Sequence, residues 1–131
     1  SEKDSGIEIP TLLIGGTYDL ITPLINEQFI VFSALNNLSN RFLIIEGASH
    51  FSPIRINYDD SRNPEDDVFK INKSFIGSNP NLIQNLSLKV IVEFLENLKN
   101  NESIKIIKNQ RESNLDFHIL DRKTLKKVIK N

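Results

Sequence analysis

The chain has 131 residues, of which 39% are hydrophobic and 25% are charged, and its net charge is -1. That length allows one modest domain, and the overall charge is not basic enough to suggest a nucleic-acid-binding surface, which needs clustered lysine and arginine. With no cysteine, the chain has no disulfide, no thiolate nucleophile and no cysteine-based metal site. No apolar run approaches the ~18–20 residues that cross a bilayer, so we expect a protein that is not transmembrane.

The first element in chain order is a buried strand. Leu12, Leu13 and Ile14 are apolar without alternation, which is typical of a strand covered on both faces in a parallel sheet, and Gly15 and Gly16 then allow a sharp turn. A helix is predicted next, with Thr22 as its N-cap and Pro23 at its first position. Its inward apolar stripe is predicted to contain Ile25, Phe29, Phe32, Leu35 and Leu38.

A second buried strand follows this helix. Phe42 to Ile45 is an apolar run closed by Gly47. Residues 7–51 therefore read as a strand, a helix and a second strand parallel to the first.

Residues 52–80 are predicted to form a long loop, because prolines, asparagines and acidic residues interrupt any regular pattern. Phe51 and the apolar residues of this loop could form a lid or an acyl-binding wall beside His50, or they could simply anchor the loop to the domain; the loop residues are Ile54, Ile56, Phe69, Ile71, Phe75 and Ile76. Its acidic residues lack the alternating ligand spacing of a calcium loop, so we interpret them as solvated; these are Asp59, Asp60, Glu65, Asp66 and Asp67.

Residues 81–99 give the clearest later helix. Its inward stripe repeats every four residues through Leu82, Leu86, Val90, Phe94 and Leu98, widened by Ile83, Ile91 and Leu95. In the tail, residues 100–131, the run 104–107 could extend that helix or form a short strand. Asp121 is predicted to cap a last helix with Leu125, Val128 and Ile129 facing inward, and His118 is predicted to be structural or solvent-facing.

Two polar residues follow the two predicted strands. Asp19 comes just after the first strand and its glycine turn, and His50 comes just after the second. Loops at the carboxyl ends of neighbouring parallel strands converge, so the two side chains are expected to meet. A carboxylate that fixes the tautomer of an imidazole prepares it to act as a general base. The alternatives are an ordinary turn aspartate and a surface or core histidine.

The residues around this pair resemble a known fold family. Pro10 to Asp19 followed by Pro23 looks like the acid-bearing turn of α/β-hydrolase-fold enzymes, and Glu46-Gly-Ala-Ser-His50-Phe51 looks like their histidine turn. The Gly-Gly-Thr-x-Asp…Thr-Pro turn and the pair Glu27 and Gln28 resemble a subgroup of bacterial esterases. These are the predicted dienelactone hydrolases and the platelet-activating-factor-acetylhydrolase-like enzymes.

The resemblance implies a fold and an activity. The chain would be a single partial domain, 1–131, forming the C-terminal portion of an α/β hydrolase: a parallel strand–helix–strand unit plus C-terminal helices, with an incomplete sheet. It would supply the catalytic Asp19 and His50 of a serine hydrolase of the carboxylic-ester or lipase-like type, with Phe51 contacting the substrate. No cofactor or metal is implied.

The nucleophile of such an enzyme is absent, because no G-x-S-x-G motif occurs in the 131 residues. Ser49 and Ser52 lack the flanking glycines of a nucleophile turn. We therefore expect upstream sequence of the same domain or a partner chain to complete the sheet and the triad, and an ester to be the small-molecule substrate. The alternative is a non-catalytic remnant or an interaction domain. The chain alone is expected to be inactive, and marginally stable or self-associating, because its first strand would expose an apolar edge.

Overall fold

A computed structural model describes residues 6–53, 79–100 and 115–129 of the chain, with side chains described up to Lys127. These residues form a three-stranded sheet in the order β1 (Leu12–Gly16), β2 (Arg41–Ile45) and β3 (Phe117–Leu120). β1 and β2 are parallel and start in register at Leu12 and Arg41, whereas β3 is antiparallel to β2. The mixed α/β class and both predicted strands are confirmed.

Strand β2 is the middle strand of the sheet, and helices cover both of its faces. Leu43 and Ile45 point to one face, into a core cluster that includes Ile83, Leu86 and Val90 of helix α2 (Pro80–Lys99). Phe42 and Ile44 point to the other face, into a cluster formed with helices α1 (Phe29–Ala34) and α3 (Arg122–Ile129); its further members are Phe32, Leu35 and Leu125. Burial on both faces explains why this strand has no polar alternation.

The connection from β1 to β2 differs from the predicted helix at its start. A π-helical turn, Leu24–Gln28, precedes α1, and the Phe29 N–H donates to the carbonyl oxygen of Leu24, five residues earlier. Pro23 occupies the N-cap position. The prediction of Thr22 as the N-cap is wrong, because its hydroxyl donates to the side chain of Asp19.

The same connection corrects two predicted core residues. Ile25 is 75% exposed and Leu38 is 78% exposed, whereas Phe32 and Leu35 are buried. A π-helical turn contains more residues than an α-helical turn, so the predicted spacing of the stripe does not carry Ile25 to the inward face. Leu38 lies beyond the helix, since the backbone is already extended at Leu35.

Helix α2 begins one residue before the predicted start. Leu86, Val90 and Phe94 of the predicted stripe are buried, and so is Ile83. Ile91 and Leu95 are exposed, so the stripe does not widen on their side. No helix in the described ranges combines the length and the apolar character that a membrane span requires.

The end of the chain holds one confirmed element and one that the sequence analysis missed. Asp121 caps α3, because its Oδ1 accepts hydrogen bonds from the Thr124 N–H and hydroxyl, both at 2.7 Å. Strand β3 was not predicted, since four residues are too few to display a period. His118 lies in it opposite Ile44 and is exposed. The apolar and acidic residues of the predicted loop from Ile54 onward, the run 104–107 and the side chains of Val128 and Ile129 lie outside the described residues.

Replacing Ile45 by valine should lower the free energy of unfolding by about 0.5–1.5 kcal/mol, because Ile45 is fully buried and the lost methylene leaves a cavity. The matched control is Ile25→Val, the same change at a side chain that is 75% exposed. It should cost less than about 0.5 kcal/mol. Urea unfolding measures both, and equal losses would contradict the placement of Ile45 in the core.

Candidate active site

The candidate site is formed by two turns at the carboxyl ends of β1 and β2. Three hydrogen bonds join these turns: the Thr17 N–H donates to the Ile45 carbonyl at 3.1 Å, and the Tyr18 N–H donates to the Ala48 carbonyl at 3.0 Å. The Gly47 N–H donates to Oγ1 of Thr17 at 2.9 Å. The positions of the residues after β1 are therefore fixed relative to those after β2.

Two glycines allow this close approach. A Cβ atom on Gly16 would collide with the carbonyl oxygen of Ala48, so only glycine lets the first turn lie against the second. Gly47 has a φ of 75°, in the left-handed region, which lets β2 turn directly after Glu46. The Gly-Gly and Gly-Ala pairs of the sequence thus serve to bring the two turns together.

Asp19 and His50 meet as predicted. Nδ1 of His50 lies 3.0 Å from Oδ2 of Asp19. The Asp19 side chain is only 4% exposed, whereas the His50 side chain is 37% exposed. The carboxylate of Asp19 is therefore almost fully buried, whereas the imidazole of His50 is accessible to solvent.

The Asp19 carboxylate accepts hydrogen bonds on both oxygens. Oδ1 accepts the backbone N–H groups of Ile21 at 2.9 Å and Thr22 at 2.8 Å. Oδ2 accepts the Thr22 hydroxyl at 2.8 Å and Nε2 of Gln28 at 3.0 Å, in addition to Nδ1 of His50. Burial raises the pKa of Asp19, but the hydrogen bonds from Thr22, His50 and Ile21 outweigh burial and leave the pKa below its ordinary value.

These bonds also fix the tautomer of His50. The two oxygens near Nδ1 are Oδ2 of Asp19, which is an acceptor, and Oγ1 of Thr22 at 3.2 Å, whose own proton goes to Asp19. Both atoms present lone pairs to Nδ1, so the proton of the neutral ring belongs on Nδ1. Nε2 is then left as a proton acceptor, which is the state that a general base requires.

The turn that carries His50 has its own internal support. The Ser49 N–H donates to Oγ of Ser52 at 2.8 Å, and the Ser52 N–H donates back to the Ser49 carbonyl at 3.3 Å. Both serines are buried. The Phe51 ring packs edge-on against the imidazole at a centroid distance of 5.2 Å. These contacts restrict the backbone on both sides of His50.

A cavity of about 310 Å³ opens beside the pair. Asp19, Gln28 and His50 line it, together with apolar residues of β1 and α1 such as Leu13 and Val31. Its lining contains no lysine or arginine among the described residues, and Phe51 is not part of it. The contact of Phe51 with substrate therefore stays a prediction. Among the described residues, no group of three histidine, cysteine or acidic side chains could hold a metal ion.

Sequence reasoning missed two members of the site, Thr22 and Gln28. The sequence pattern predicts Thr22 as a helix cap and includes Gln28 only in the motif with Glu27. The spacing of Asp19 and Thr22 is a local signal, because an aspartate commonly accepts the backbone N–H groups two and three residues later. Gln28 gives no comparable signal, since its contact with Asp19 depends on the π-helical turn.

Comparison with known proteins adds no relative. No protein-family model, curated protein or solved structure matches this chain. The interpretation of the site therefore depends on its geometry and on the residues themselves.

Replacing Asp19 by asparagine should cost about 2 kcal/mol of unfolding free energy at pH 6, because the variant loses charge-assisted hydrogen bonds. The folded-state pKa of Asp19 lies below its ordinary value of 3.8. The charged group thus stabilises the fold in full above that value and less as pH falls through the folded pKa. The difference between wild type and variant should therefore shrink as pH is lowered below about 4.

Urea unfolding of both proteins across this pH range provides the measurement. Asp116→Asn, at an exposed aspartate, reports the general effect of removing one charge at each pH. A difference between wild type and Asp19→Asn that grows toward low pH would contradict the stabilised carboxylate.

Proposed function

We propose that this chain supplies the acid and the base of a serine hydrolase acting on carboxylic esters. In this proposal Asp19 orients His50, and His50 is the general base. The observation that carries the proposal is the 3.0 Å contact between Nδ1 of His50 and Oδ2 of Asp19 at the ends of adjacent parallel strands. The chain order of the acid before the histidine is that of α/β hydrolases.

The difference in exposure between the two residues supports these roles. A triad acid works by holding the imidazole and stabilising the imidazolium, which needs a buried and charged carboxylate. Asp19 is buried, and its hydrogen bonds keep its pKa low. A triad base must reach the nucleophile, and His50 borders a cavity with Nε2 unprotonated in its neutral form.

The nucleophile of the proposed enzyme is a serine supplied by further sequence of the same domain or by a partner chain. Within the described ranges, β1 pairs only with β2, and the cavity is bordered by Leu13, Ile14 and Gly15 of that strand. A strand added to the free edge of β1 would complete the sheet on the side of this cavity. A turn after such a strand could bring a serine hydroxyl to His50.

The proposed reaction has two steps. Nε2 of His50 accepts the serine proton while the serine oxygen attacks the ester carbonyl, and the imidazolium then gives that proton to the departing alcohol. Water, deprotonated by the same Nε2, attacks the acyl-enzyme and releases the acid and the free serine. Asp19 remains ionised throughout and stabilises the imidazolium in both steps.

The cavity favours an uncharged ester. Its wall surface is largely apolar, and its acidic side chains among the described residues are Asp19 and Glu27, with no lysine or arginine beside them. A substrate carrying a carboxylate would be repelled by this charge and would find no cation to pair with. The acyl part of a neutral ester could bind against Leu13 and Val31.

We expect His50→Ala to lower ester hydrolysis by the complete enzyme by about 10⁴-fold or more, because the serine loses its base. His118→Ala, at the other histidine, is the control and should leave the rate unchanged. Hydrolysis of p-nitrophenyl esters by the protein purified from its source cells measures both variants, and circular dichroism verifies that each is folded.

A fluorophosphonate probe extends this test to the missing nucleophile. The probe should label one serine outside these 131 residues in the wild type and none in His50→Ala. Undiminished hydrolysis by His50→Ala would reject the assignment. A folded complete assembly that neither hydrolyses esters nor reacts with the probe would favour the alternative, a non-catalytic hydrolase-like or interaction domain.

A further inference from the structure

We propose that Gln28 is a positioning residue, which holds Oδ2 of Asp19 at the imidazole of His50. Gln28 is 8% exposed, and its Nε2 lies 3.0 Å from Oδ2 of Asp19 and 2.6 Å from the Thr22 carbonyl oxygen. The two hydrogens of the amide therefore have an acceptor each. The proposal rests on the proposed function for its catalytic meaning, but its geometry can be tested in this chain alone.

The orientation of the amide follows from its neighbours. Rotating it by half a turn would place Oε1 against a carboxylate and a carbonyl oxygen, which repel it, so Nε2 must face Asp19. Oε1 then points toward Gly15, where it is buried and has no hydrogen-bond partner among the described residues. Burying an acceptor without a donor is unfavourable.

The cost of burying Oε1 without a donor indicates the role of the Gln28 side chain. A leucine has a similar size and would fill the same space without a buried, unpaired oxygen, so packing alone would favour leucine. The glutamine offers what leucine cannot, an N–H group directed at the oxygen of Asp19 that faces His50. Unpaired buried polar groups of this kind call for a specific explanation, and here it is the donor at the other end of the same amide.

Gly15 is part of the same arrangement. A Cβ atom on Gly15 would collide with Oε1 of Gln28 and would lie 2.8 Å from its Cδ, so the amide occupies the space of a side chain at that position. Adding a methyl group there would displace the amide from Asp19. The contact between Gln28 and Asp19 therefore requires that residue 15 has no side chain.

Without Gln28, the Thr22 hydroxyl can become a donor to the imidazole. Oγ1 of Thr22 lies 3.2 Å from Nδ1 of His50, and the Thr22 hydroxyl and the Gln28 amide both hold Oδ2 of Asp19 in place. Removing the amide leaves Oδ2 with one fewer donor and more freedom to rotate. The Nδ1–H bond to Asp19 should then weaken, and the Thr22 hydroxyl can turn from Asp19 to donate to Nδ1, so the tautomer with the proton on Nε2 should become populated.

The experiment is nitrogen-15 NMR of the histidine rings in the 131-residue chain at a pH where the imidazole is neutral. The chain has two histidines, so His118 is the internal reference. In the wild type, His50 should show the Nδ1–H tautomer with a downfield Nδ1 proton. In Gln28→Leu this proton resonance should be lost and the two ring nitrogens should shift toward a mixed tautomer, while His118 is unchanged.

Thermal unfolding separates positioning from structural support. Gln28→Leu should stay folded, because it removes the buried, unpaired Oε1 together with one donor to Asp19 and leaves the other four donors in place. Gln84→Leu on α2 is the control for the chemical change. A wild type without the Nδ1–H tautomer at His50 would overturn the proposal. So would a Gln28→Leu chain that is unfolded, or one that is less stable with the His50 signals unchanged.

Gly15→Ala gives a second, independent variant, because it keeps Gln28 in the sequence and displaces its amide, whereas the other close neighbour of the added Cβ, the Phe42 ring at 3.1 Å, has to move by only a few tenths of an ångström. It should change the His50 signals in the same way as Gln28→Leu. In the complete enzyme, Gln28→Leu should lower kcat by about 10²-fold with KM nearly unchanged, because the base is misplaced rather than lost. Unaltered His50 signals in Gly15→Ala would overturn the proposal even if the enzyme assay showed no esterase at all.

Discussion

The charge on the buried Asp19 carboxylate is the constraint on which the site depends. A carboxylate taken out of water is costly unless hydrogen bonds replace its hydration. Here the replacement comes from five donors on four residues: two backbone N–H groups, a hydroxyl, an amide and an imidazole. Each of those donors is thereby held in one orientation. The same set of bonds that makes the burial tolerable also defines how His50 is presented.

The strands and glycines determine that this set of donors can assemble. Parallel pairing of β1 and β2 brings two turns to the same end of the sheet, and Gly16 lets one backbone lie against the other at Ala48. Because β2 is packed on both faces, the turn that carries His50 starts from the most constrained strand of the molecule. The backbone contacts therefore determine where the acid and the base lie, independently of the bonds between their side chains.

The sequence predicts the parts of this structure that depend on local chemistry. Two unbroken apolar runs identify the buried strands, and polar residues just after them identify Asp19 and His50, because these signals need only the period of a strand. The outward position of Ile25 and the inward position of Gln28 could not be predicted, since both depend on a π-helical turn that has no clear sequence signature. Strand β3 could not be predicted for a different reason: its four residues form a strand only by pairing with β2.

The wrong expectation for Ile25 and the missed role of Gln28 share one physical cause, the π-helical turn. A π-helical turn is rare compared with an α-helical one and is frequently found at functional sites. In this chain it lies between the acid-bearing turn and α1, and its last residue is the buried Gln28. An α-helix continuing from Pro23 would have kept Ile25 on the apolar stripe and improved the packing of the connection. The wider turn instead exposes Ile25 and buries the Gln28 amide beside a carboxylate, which places a hydrogen-bond donor on Asp19.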